Sequence, residues 1–342
     1  MSIRSLIGAC AAAAAVAAAA QEAPRTPWGE PDLQGTYTSD NWIGVPFERP
    51  ERFGTRELLT DEEHAQRIAA NDEQVAKDRA PEPESEFSVE DPAAINAPRH
   101  WLERPDSPAR ATSLVVDPPA GRLPALTPEG EQRLAARRSE RRRPPESYTD
   151  FSNYDRCISR GVAGSILPVI YGNGTQILQA PGVVVIRNEM IHEARVIPLD
   201  GSSHPGDGVR MWMGDSRGRF EGETLVIETT NFTDRTAIGP NGNGAVHSEH
   251  LRLVERITRL DADSLAYELT VDDPRTYVEP WSVRLTLDSK PGYEIYEYAC
   301  HEGNYGLANM LSAARAEEGA DERAVNRADD RADNRDNRAD NR

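Results

Sequence analysis

The feature that most constrains the fold is a long stretch, from about Thr175 to Cys300, in which apolar residues recur at every second position. Short segments of this kind are separated by Gly, Pro, Asn and Asp, the pattern of β-strands joined by turns. Consecutive strands without intervening helices favour an antiparallel meander. Closing the meander removes its exposed edges, so we expect a mainly β chain with an up-and-down, lipocalin-like barrel, and a β-sandwich is the alternative.

The boundaries of these strands follow from the alternation and from the turn residues. Turn-forming residues predict hairpins at Asp215 to Gly218 and at Leu260 to Asp263. The predicted strands cover residues 175–180, 182–188, 191–198, 209–214, 223–232, 250–260, 264–272, 280–288 and 293–300.

The preceding part of the chain, residues 21–150, is rich in proline and charge and has few apolar runs. Thr60 and Glu63 form a capping box that predicts the start of one helix. Pro128 suits the first position of a second helix, which runs into a cluster of arginines. Residues 81–108 are expected to be extended and irregular. We therefore expect this part to wrap around the β domain of residues 151–318.

One short segment of the wrap resembles part of the barrel itself. Asp32 to Tyr37, with a glycine at position 35 and Trp42 nearby, is similar to the first strand of lipocalin-like barrels. A strand is therefore expected there.

The N-terminus resembles a secretory signal. A basic start is followed by a small, apolar run from Leu6 to Ala20 and by an A-x-A site before Gln21. The run is too short and too weakly apolar to span a bilayer. Residues 1–20 are thus predicted to be removed, leaving a periplasmic or secreted protein, with lipidation at Cys10 as an alternative.

Export changes what the cysteines indicate. Removal of the signal leaves one pair, Cys157 and Cys300, and an oxidising compartment favours a disulfide between them over a metal or redox site. Two free buried thiols are the alternative.

The charge balance excludes some partners. A formal net charge of −18 argues against nucleic-acid binding and against adhesion to anionic membranes, since both need a basic surface. No stable membrane insertion is expected. Residues 319–342 form a repetitive charged tail, poor in apolar residues beyond alanine, which predicts disorder.

Side-chain parity predicts which residues of the strand after Asn188 face the core. Met190, Ala194 and Val196 form its apolar set and are expected to point inward, carrying His192 with them. Arg195 would then lie on the opposite face.

The same count places Glu255 among apolar neighbours, and it puts Glu297 and His301 on one face of the last predicted strand. Together with His192, these groups would lie on or near an apolar interior, where each needs a partner. A histidine and carboxylates in one apolar cavity support acid–base catalysis, so these four are the candidate catalytic residues.

Each candidate also has a structural interpretation. An inward histidine is commonly a hydrogen-bonded core residue. Glu255 and Glu297 could each form a buried salt bridge with an arginine such as Arg256 or Arg284. The charged segment from Asp215 could be a simple turn.

A metal site is a weaker hypothesis. His247, His250 and His301 supply enough nitrogen ligands for zinc or iron. However, a His-x-x-His pair on a loop is much less specific than H-E-x-x-H on a helix. No metal site is assigned and no cofactor is expected, although the sequence leaves open whether these histidines bind a metal.

Several longer motifs resemble a family of exported bacterial proteins of uncharacterised function. They include Asn188-Glu-Met-Ile-His192 through Asp200-Gly201, Gly214-Asp-Ser-Arg-Gly-Arg-Phe-Glu-Gly-Glu-Thr-Leu225, Glu228-Thr-Thr-Asn-Phe-Thr233 and Tyr296-Glu-Tyr-Ala-Cys-His-Glu-Gly-Asn-Tyr305. The resemblance covers most of residues 27–318, departs at Phe220, where tryptophan is expected, and carries no activity with it. The motifs contain six residues that we treat as candidate binding residues: Arg195, Asp215, Arg217, Glu302, Asn304 and Tyr305.

Two classes of function follow from these patterns. The first is an exported, cofactor-independent acid–base enzyme, a lyase, hydratase, isomerase or hydrolase that acts on a small molecule. The second is a periplasmic lipocalin-like binding or carrier protein for a small apolar ligand. An envelope interaction module is a third possibility, and the sequence does not determine the substrate or the oligomeric state.

Overall fold

The computed structural model describes residues 24–80, 101–242 and 244–320. The predicted signal with Cys10, most of the expected irregular segment 81–108 and the tail beyond residue 320 lie outside the described residues. Within these ranges, no helix has the length and apolar character needed to cross a bilayer.

The described chain contains ten strands and three named α-helices, followed by helical residues 306–320. The helices are α1 (Asp61–Arg79), α2 (Pro128–Arg142) and the short α3 (Gly161–Gly164). Short 3-10 helices cover Asp40–Trp42, Glu51–Phe53, Tyr148–Asp150, Met190–His192 and Pro240–Gly242. The strands are β1 (Gly35–Thr38), β2 (Val115–Asp117), β3 (Thr175–Ala180), β4 (Val183–Asn188), β5 (Ala194–Pro198), β6 (Asp215–Glu221), β7 (Thr224–Thr230), β8 (Arg252–Arg259), β9 (Ser264–Asp272) and β10 (Trp281–Ser289).

The strands form one antiparallel sheet that curls into a nearly closed, lipocalin-like barrel. Its order is β5-β4-β3-β1-β10-β9-β8-β7-β6, and β2 pairs with β10 beside this path. At the seam, β5 and β6 pack together closely, and a Cβ atom at Gly218 would lie only 2.9 Å from Ile197 Cγ2 of β5. The expected mainly β barrel is therefore confirmed.

The barrel interior is filled with side chains from alternate strand positions, as parity requires. Ile177, Ile257, Leu269 and Leu285 are among its fully buried residues. The N-terminal wrap takes part in the core through β1, where Tyr37 is buried and β1 joins β3 to β10.

Both predicted helices form where their capping residues indicate. The Thr60 hydroxyl accepts the backbone N–H of Glu63, and the Glu63 carboxylate accepts the backbone N–H of Thr60, which completes the capping box of α1. Pro128 opens α2 behind the Thr127 cap. Neither helix buries a large apolar side chain, so both lie on the outside of the barrel.

The strand predicted over residues 209–214 and the hairpin predicted at Asp215 to Gly218 are wrong. Asp215–Glu221 is β6, and the reversal into β7 comes at Gly222, where φ is 61°. The glycine at 218 is there for the close approach to β5 rather than for a turn. The hairpin at Leu260 to Asp263 does form, between β8 and β9.

The strand predicted over residues 293–300 is also absent. Its alternating aromatic pattern is genuine, but β10 already pairs with β9, β1 and β2, and the two ends of the sheet pack against each other. Within the described residues, the segment pairs with no strand of the sheet. It leaves the barrel after Gly292 and lies outside as an irregular terminal segment, residues 290–305.

Candidate functional site

Glu255 lies in the barrel interior, as predicted, and is 0% exposed. It forms a bidentate ion pair with Arg195, whose Nη1 and Nη2 lie 2.6 and 2.8 Å from Glu255 Oε2 and Oε1. The Tyr267 hydroxyl donates to Oε1 at 3.0 Å. Burial would lower the pKa of Arg195, but the Glu255 charge outweighs it and raises that pKa. Glu255 thus belongs to a charge-balanced triad, and its partner is neither Arg256 nor Arg284.

The predicted orientation of the strand after Asn188 is confirmed for Met190, which is 1% exposed, but is wrong from His192 onward. Arg195 points inward, whereas His192 and Ala194 are exposed and Val196 is 63% exposed. The cause is a left-handed turn at Ile191 and His192, with φ of 60° and 43°, which rotates the chain before β5 begins. Such backbone is costly for residues other than glycine and is not visible in an alternating pattern.

The remaining candidates on the terminal segment also lie outside. Glu297, His301 and Glu302 are exposed, and Tyr305 is 74% exposed. Asn304 Nδ2 donates to the Asp155 carbonyl at 3.2 Å. The expectation that His192, Glu255, Glu297 and His301 share one interior is therefore wrong, and their catalytic roles remain sequence predictions.

Asp215 and Arg217 belong to a surface network on β6. His204 Nδ1 lies 2.8 Å from Asp215 Oδ1, and Arg217 Nη2 lies 3.2 Å from the same oxygen. His204 Nε2 lies 3.6 Å from Glu228 Oε1. This network fastens the loop around His204 to the sheet.

Of the histidines considered as metal ligands, His247 is already hydrogen-bonded through both ring nitrogens. His247 is buried, with Nε2 2.6 Å from Thr236 Oγ1 and Nδ1 3.0 Å from the Ser248 carbonyl. In residues 24–80, 101–242 and 244–320, no group of three or more His, Cys, Asp or Glu side chains is arranged to hold a metal ion.

The predicted disulfide is present. Cys157 and Cys300 are bonded, with their Cα atoms 5.6 Å apart. The bond fastens the terminal segment to the chain just before α3. His192 Nδ1 lies 3.0 Å from the Tyr298 carbonyl oxygen, so the two blocks of sequence that contain the candidate histidines do meet, but outside the barrel end.

A polar cluster lies beside this contact, around the loop Tyr171-Gly-Asn-Gly174. We define the loop cluster as Asp40, Glu103, Asn173, Glu189, Lys290 and Tyr293. The buried Asn173 organises it, because its Nδ2 donates to Asp40 Oδ1 at 3.0 Å and to Glu103 Oε2 at 2.9 Å. Lys290 Nζ donates to Asp40 Oδ2 at 3.0 Å.

Tyr293 joins two carboxyl groups of the loop cluster. Its hydroxyl lies 3.0 Å from Glu103 Oε1 and also contacts Glu189 Oε2. Gly174 allows this approach, since a Cβ there would lie 2.7 Å from the Tyr293 ring. One hydroxyl donates a single proton, so the second contact is a good hydrogen bond only if a carboxyl group is protonated.

Glu103 is the carboxyl group best placed to hold that proton. Burial, followed by the charge of Asp40 and its hydrogen bond, raises the pKa of Glu103 to about 7. Its hydrogen bond from Tyr293 acts in the opposite direction. A carboxyl group that titrates near neutral pH and stays partly exposed is suited to acid–base chemistry.

On the other side of the loop lies Arg160, the residue before α3, which is 1% exposed. Its Nη1 donates to the Gly172 carbonyl at 3.4 Å. Within the described part of the chain, its buried Nε and Nη2 atoms have no acceptor. Burial lowers the pKa of Arg160 to about 10, so the guanidinium remains charged at neutral pH.

Three tyrosines surround this guanidinium. The hydroxyl groups of Tyr154 and Tyr171 lie 2.9 Å apart, and Tyr298 of the terminal segment reaches the same pair. Burial, then the hydrogen bond with Tyr171, raises the pKa of Tyr154. Burial also raises the pKa of Tyr298, so the phenol groups of Tyr154 and Tyr298 stay neutral.

Sequence reasoning missed Glu103, Asn173 and Arg160. Two signals were available in the sequence. Arg160 lies three residues after Cys157, and the loop Tyr171-Gly-Asn-Gly174 precedes a strand. A loop in that position does not form a phosphate-binding site, but its glycines allow other side chains to approach. Glu103 lies far from every motif in sequence and only folding brings it in.

Comparison of the chain with known protein families, with curated proteins and with solved structures gives no match.

Proposed function

We propose that this protein is an exported, cofactor-independent acid–base enzyme that acts on a small molecule at the loop cluster, with Glu103 as the proton-transferring group. The reaction class is that of a lyase, hydratase, isomerase or hydrolase. The observation that carries the proposal is the placement of Glu103 beside Asp40 and Tyr293, partly exposed and with its pKa raised to about 7.

The neighbours of Glu103 suit this role. Lys290 forms an ion pair with Asp40, with its ammonium 3.0 Å from Asp40 Oδ2. The fixed negative charge of Asp40 then favours the protonated form of Glu103, as in other carboxyl pairs with one raised pKa. The Tyr293 hydroxyl donates a hydrogen bond to Glu103 when the Glu103 carboxyl group is ionised. Glu103 can thus both give and accept a proton near neutral pH.

A binding or carrier protein is the second candidate, and a different observation favours it. The buried, unpartnered edge of Arg160 could orient a ligand without any chemistry. A carrier needs Arg160 but has no use for a carboxyl group that titrates near pH 7. The two candidates therefore differ in whether Glu103 matters.

Export is part of the proposal and is supported by the Cys157–Cys300 disulfide, because such bonds persist in oxidising compartments. The signal-like residues 1–20 and the motifs that resemble an exported bacterial family support it as well. We propose that the chain is a member of that family.

The test is turnover of pooled small organic molecules by the purified protein, followed by mass spectrometry and NMR. Glu103→Gln keeps the shape of the side chain but cannot transfer the proton, and we expect about a 10²- to 10⁴-fold loss of turnover. Glu294→Gln, an exposed carboxylate on the terminal segment, is the matched control. Equal turnover by Glu103→Gln and wild type would refute the proposal.

A further inference from the structure

Arg160 and Arg195 are both buried arginines, but only one of them has an anionic partner. Arg195 directs Nη1 and Nη2 at Glu255. Arg160 uses Nη1 for the Gly172 carbonyl, and among the described residues no carboxylate lies within ion-pair distance of it. The edge formed by Nε and Nη2 is buried and has no acceptor.

An unpaired guanidinium edge is unusual because buried donors are nearly always hydrogen-bonded. The N–H bonds of Nε and Nη2 lie in the guanidinium plane and point in parallel from one edge of the group. Their spacing matches the two oxygens of a carboxylate, which is why arginine recognises this group bidentately. The Nε and Nη2 groups of Arg160 are therefore both placed to donate, and no acceptor among the described residues bonds to them.

We propose that the Nε and Nη2 edge of Arg160 binds the carboxylate of a small organic acid, and that such acids are the substrate class of the loop cluster. This inference rests on the proposed function. Inside the described part of the chain, no protein carboxylate occupies the position.

The surroundings of Arg160 fit a carboxylate. The hydroxyl groups of Tyr154, Tyr171 and Tyr298 lie near the guanidinium and are potential hydrogen-bond donors to an anion. Glu103 lies near enough for its charge to act on Arg160, and both contact the loop of residues 171–174. An acid anchored on Arg160 would therefore lie at the loop that Glu103 also contacts.

Entry of the acid requires movement, because Nε and Nη2 have no exposed surface. Tyr298 is the tyrosine most able to move, since it lies on the terminal segment, where residues 293–299 form neither strand nor helix. The segment is held by the Tyr293 hydroxyl, the contact between His192 and Tyr298, and the disulfide at Cys300.

The experiment is calorimetric titration of the full mature protein with formate, acetate and benzoate at pH 7, with phenol as the neutral counterpart of benzoate. We expect at least one carboxylate to bind with a Kd below about 10 mM and phenol to bind more weakly. Arg160→Met should weaken carboxylate binding at least tenfold. Arg156→Met, which removes a nearby guanidinium that stacks on Tyr148, should leave it unchanged.

A second variant keeps the test decisive if Arg160→Met folds poorly. Arg160→Lys keeps the charge but cannot form the bidentate pair, so its affinity should also fall. The proposal is overturned if none of the three carboxylates binds, or if a folded Arg160 variant binds as tightly as wild type.

The two proposals, carboxylate binding by Arg160 and proton transfer by Glu103, can be rejected independently. Glu103→Gln should bind the carboxylate about as well as wild type while losing turnover. Loss of turnover in Glu103→Gln with unchanged binding by Arg160→Met would reject the anchor alone. Full turnover in Glu103→Gln with lost binding by Arg160→Met would reject the proposed function and leave a carboxylate-binding protein.

Discussion

Arg195 and Glu255 form a bidentate ion pair across the interior of the barrel, with Arg195 on β5 and Glu255 on β8. Around the closed seam, β6 and β7 lie between these two strands, so the pair links strands that are not neighbours. Because neither group is exposed, the pair depends on both partners being present. Removal of one leaves an uncompensated charge in an apolar core.

We therefore expect Arg195→Met to lower the free energy of unfolding by about 3–5 kcal/mol. The double variant Arg195→Met, Glu255→Met should lose less than the sum of the single variants, because no charge is left buried. Denaturant unfolding measures both. Arg284→Ala, which breaks an exposed pair with Glu268, is the control and should cost less than about 1 kcal/mol. A similar small loss in Arg195→Met would contradict the argument.

The raised pKa of Glu103 predicts how stability depends on pH. Folding raises this pKa from 4.5 to about 7, so the folded state binds more protons between these values. The stability contributed by Glu103 is thus fully present below about pH 4.5 and is lost as the pH rises through about 7.

Glu103→Gln removes this contribution. The difference in unfolding free energy between wild type and Glu103→Gln should change by about 2–3 kcal/mol from pH 4.5 to pH 8, with wild type losing stability. Chemical denaturation at several pH values measures the difference. A difference that stays constant across the range would show that Glu103 titrates normally.

Because of the Cys157–Cys300 disulfide, we expect the exported protein to contain no free thiol and the bond to contribute to its stability. The bond joins residues separated by 143 positions, and the chain-entropy treatment puts its stabilisation at about 5 kcal/mol. The double variant Cys157→Ser, Cys300→Ser should lose an amount of this order in denaturant unfolding.

Intact mass of exported protein, alkylated without reductant, should show a mature chain beginning near Gln21 and no modified thiol. Two alkylated thiols in correctly exported material would show that the bond does not form in the native compartment.

Variants of the two exposed histidines, His192 and His301, distinguish the catalytic site predicted from the sequence from the loop cluster. If His192 and His301 are catalytic, alanine at either position should abolish turnover and leave the fold intact. If Glu103 is the proton-transferring group, His301→Ala should keep turnover within about twofold, as is usual for a surface side chain. His192→Ala should show a partial loss through the contact with Tyr298. Turnover of both variants, relative to Glu103→Gln, decides between the assignments.

Local patterns determined much of the architecture. The capping box at Thr60, the proline at 128 and the alternation in β3, β4 and β7 to β10 depend on neighbouring residues alone. Local hydrogen bonding and side-chain parity are short-range effects, so one sequence suffices to predict them. The cysteine pair could be predicted by elimination.

The exceptions are positions where a distant part of the chain outweighs the local pattern. Gly218 resembles a turn residue but lies in β6 because β5 packs onto it. The alternating segment after Tyr293 pairs with no strand of the described sheet and lies outside the barrel. The left-handed turn at Ile191 and His192 reverses the expected orientation of β5.

Periodicity, helix caps and cysteine count are enough to predict a disulfide-linked antiparallel barrel with a helical wrap. Which ionisable groups meet depends on the tertiary fold. Glu103, Asn173 and Tyr293 come from three distant parts of the chain, and Arg160 acquires its unpaired edge through burial. Burial and long-range charge set these properties, and neither leaves a periodic pattern in the sequence.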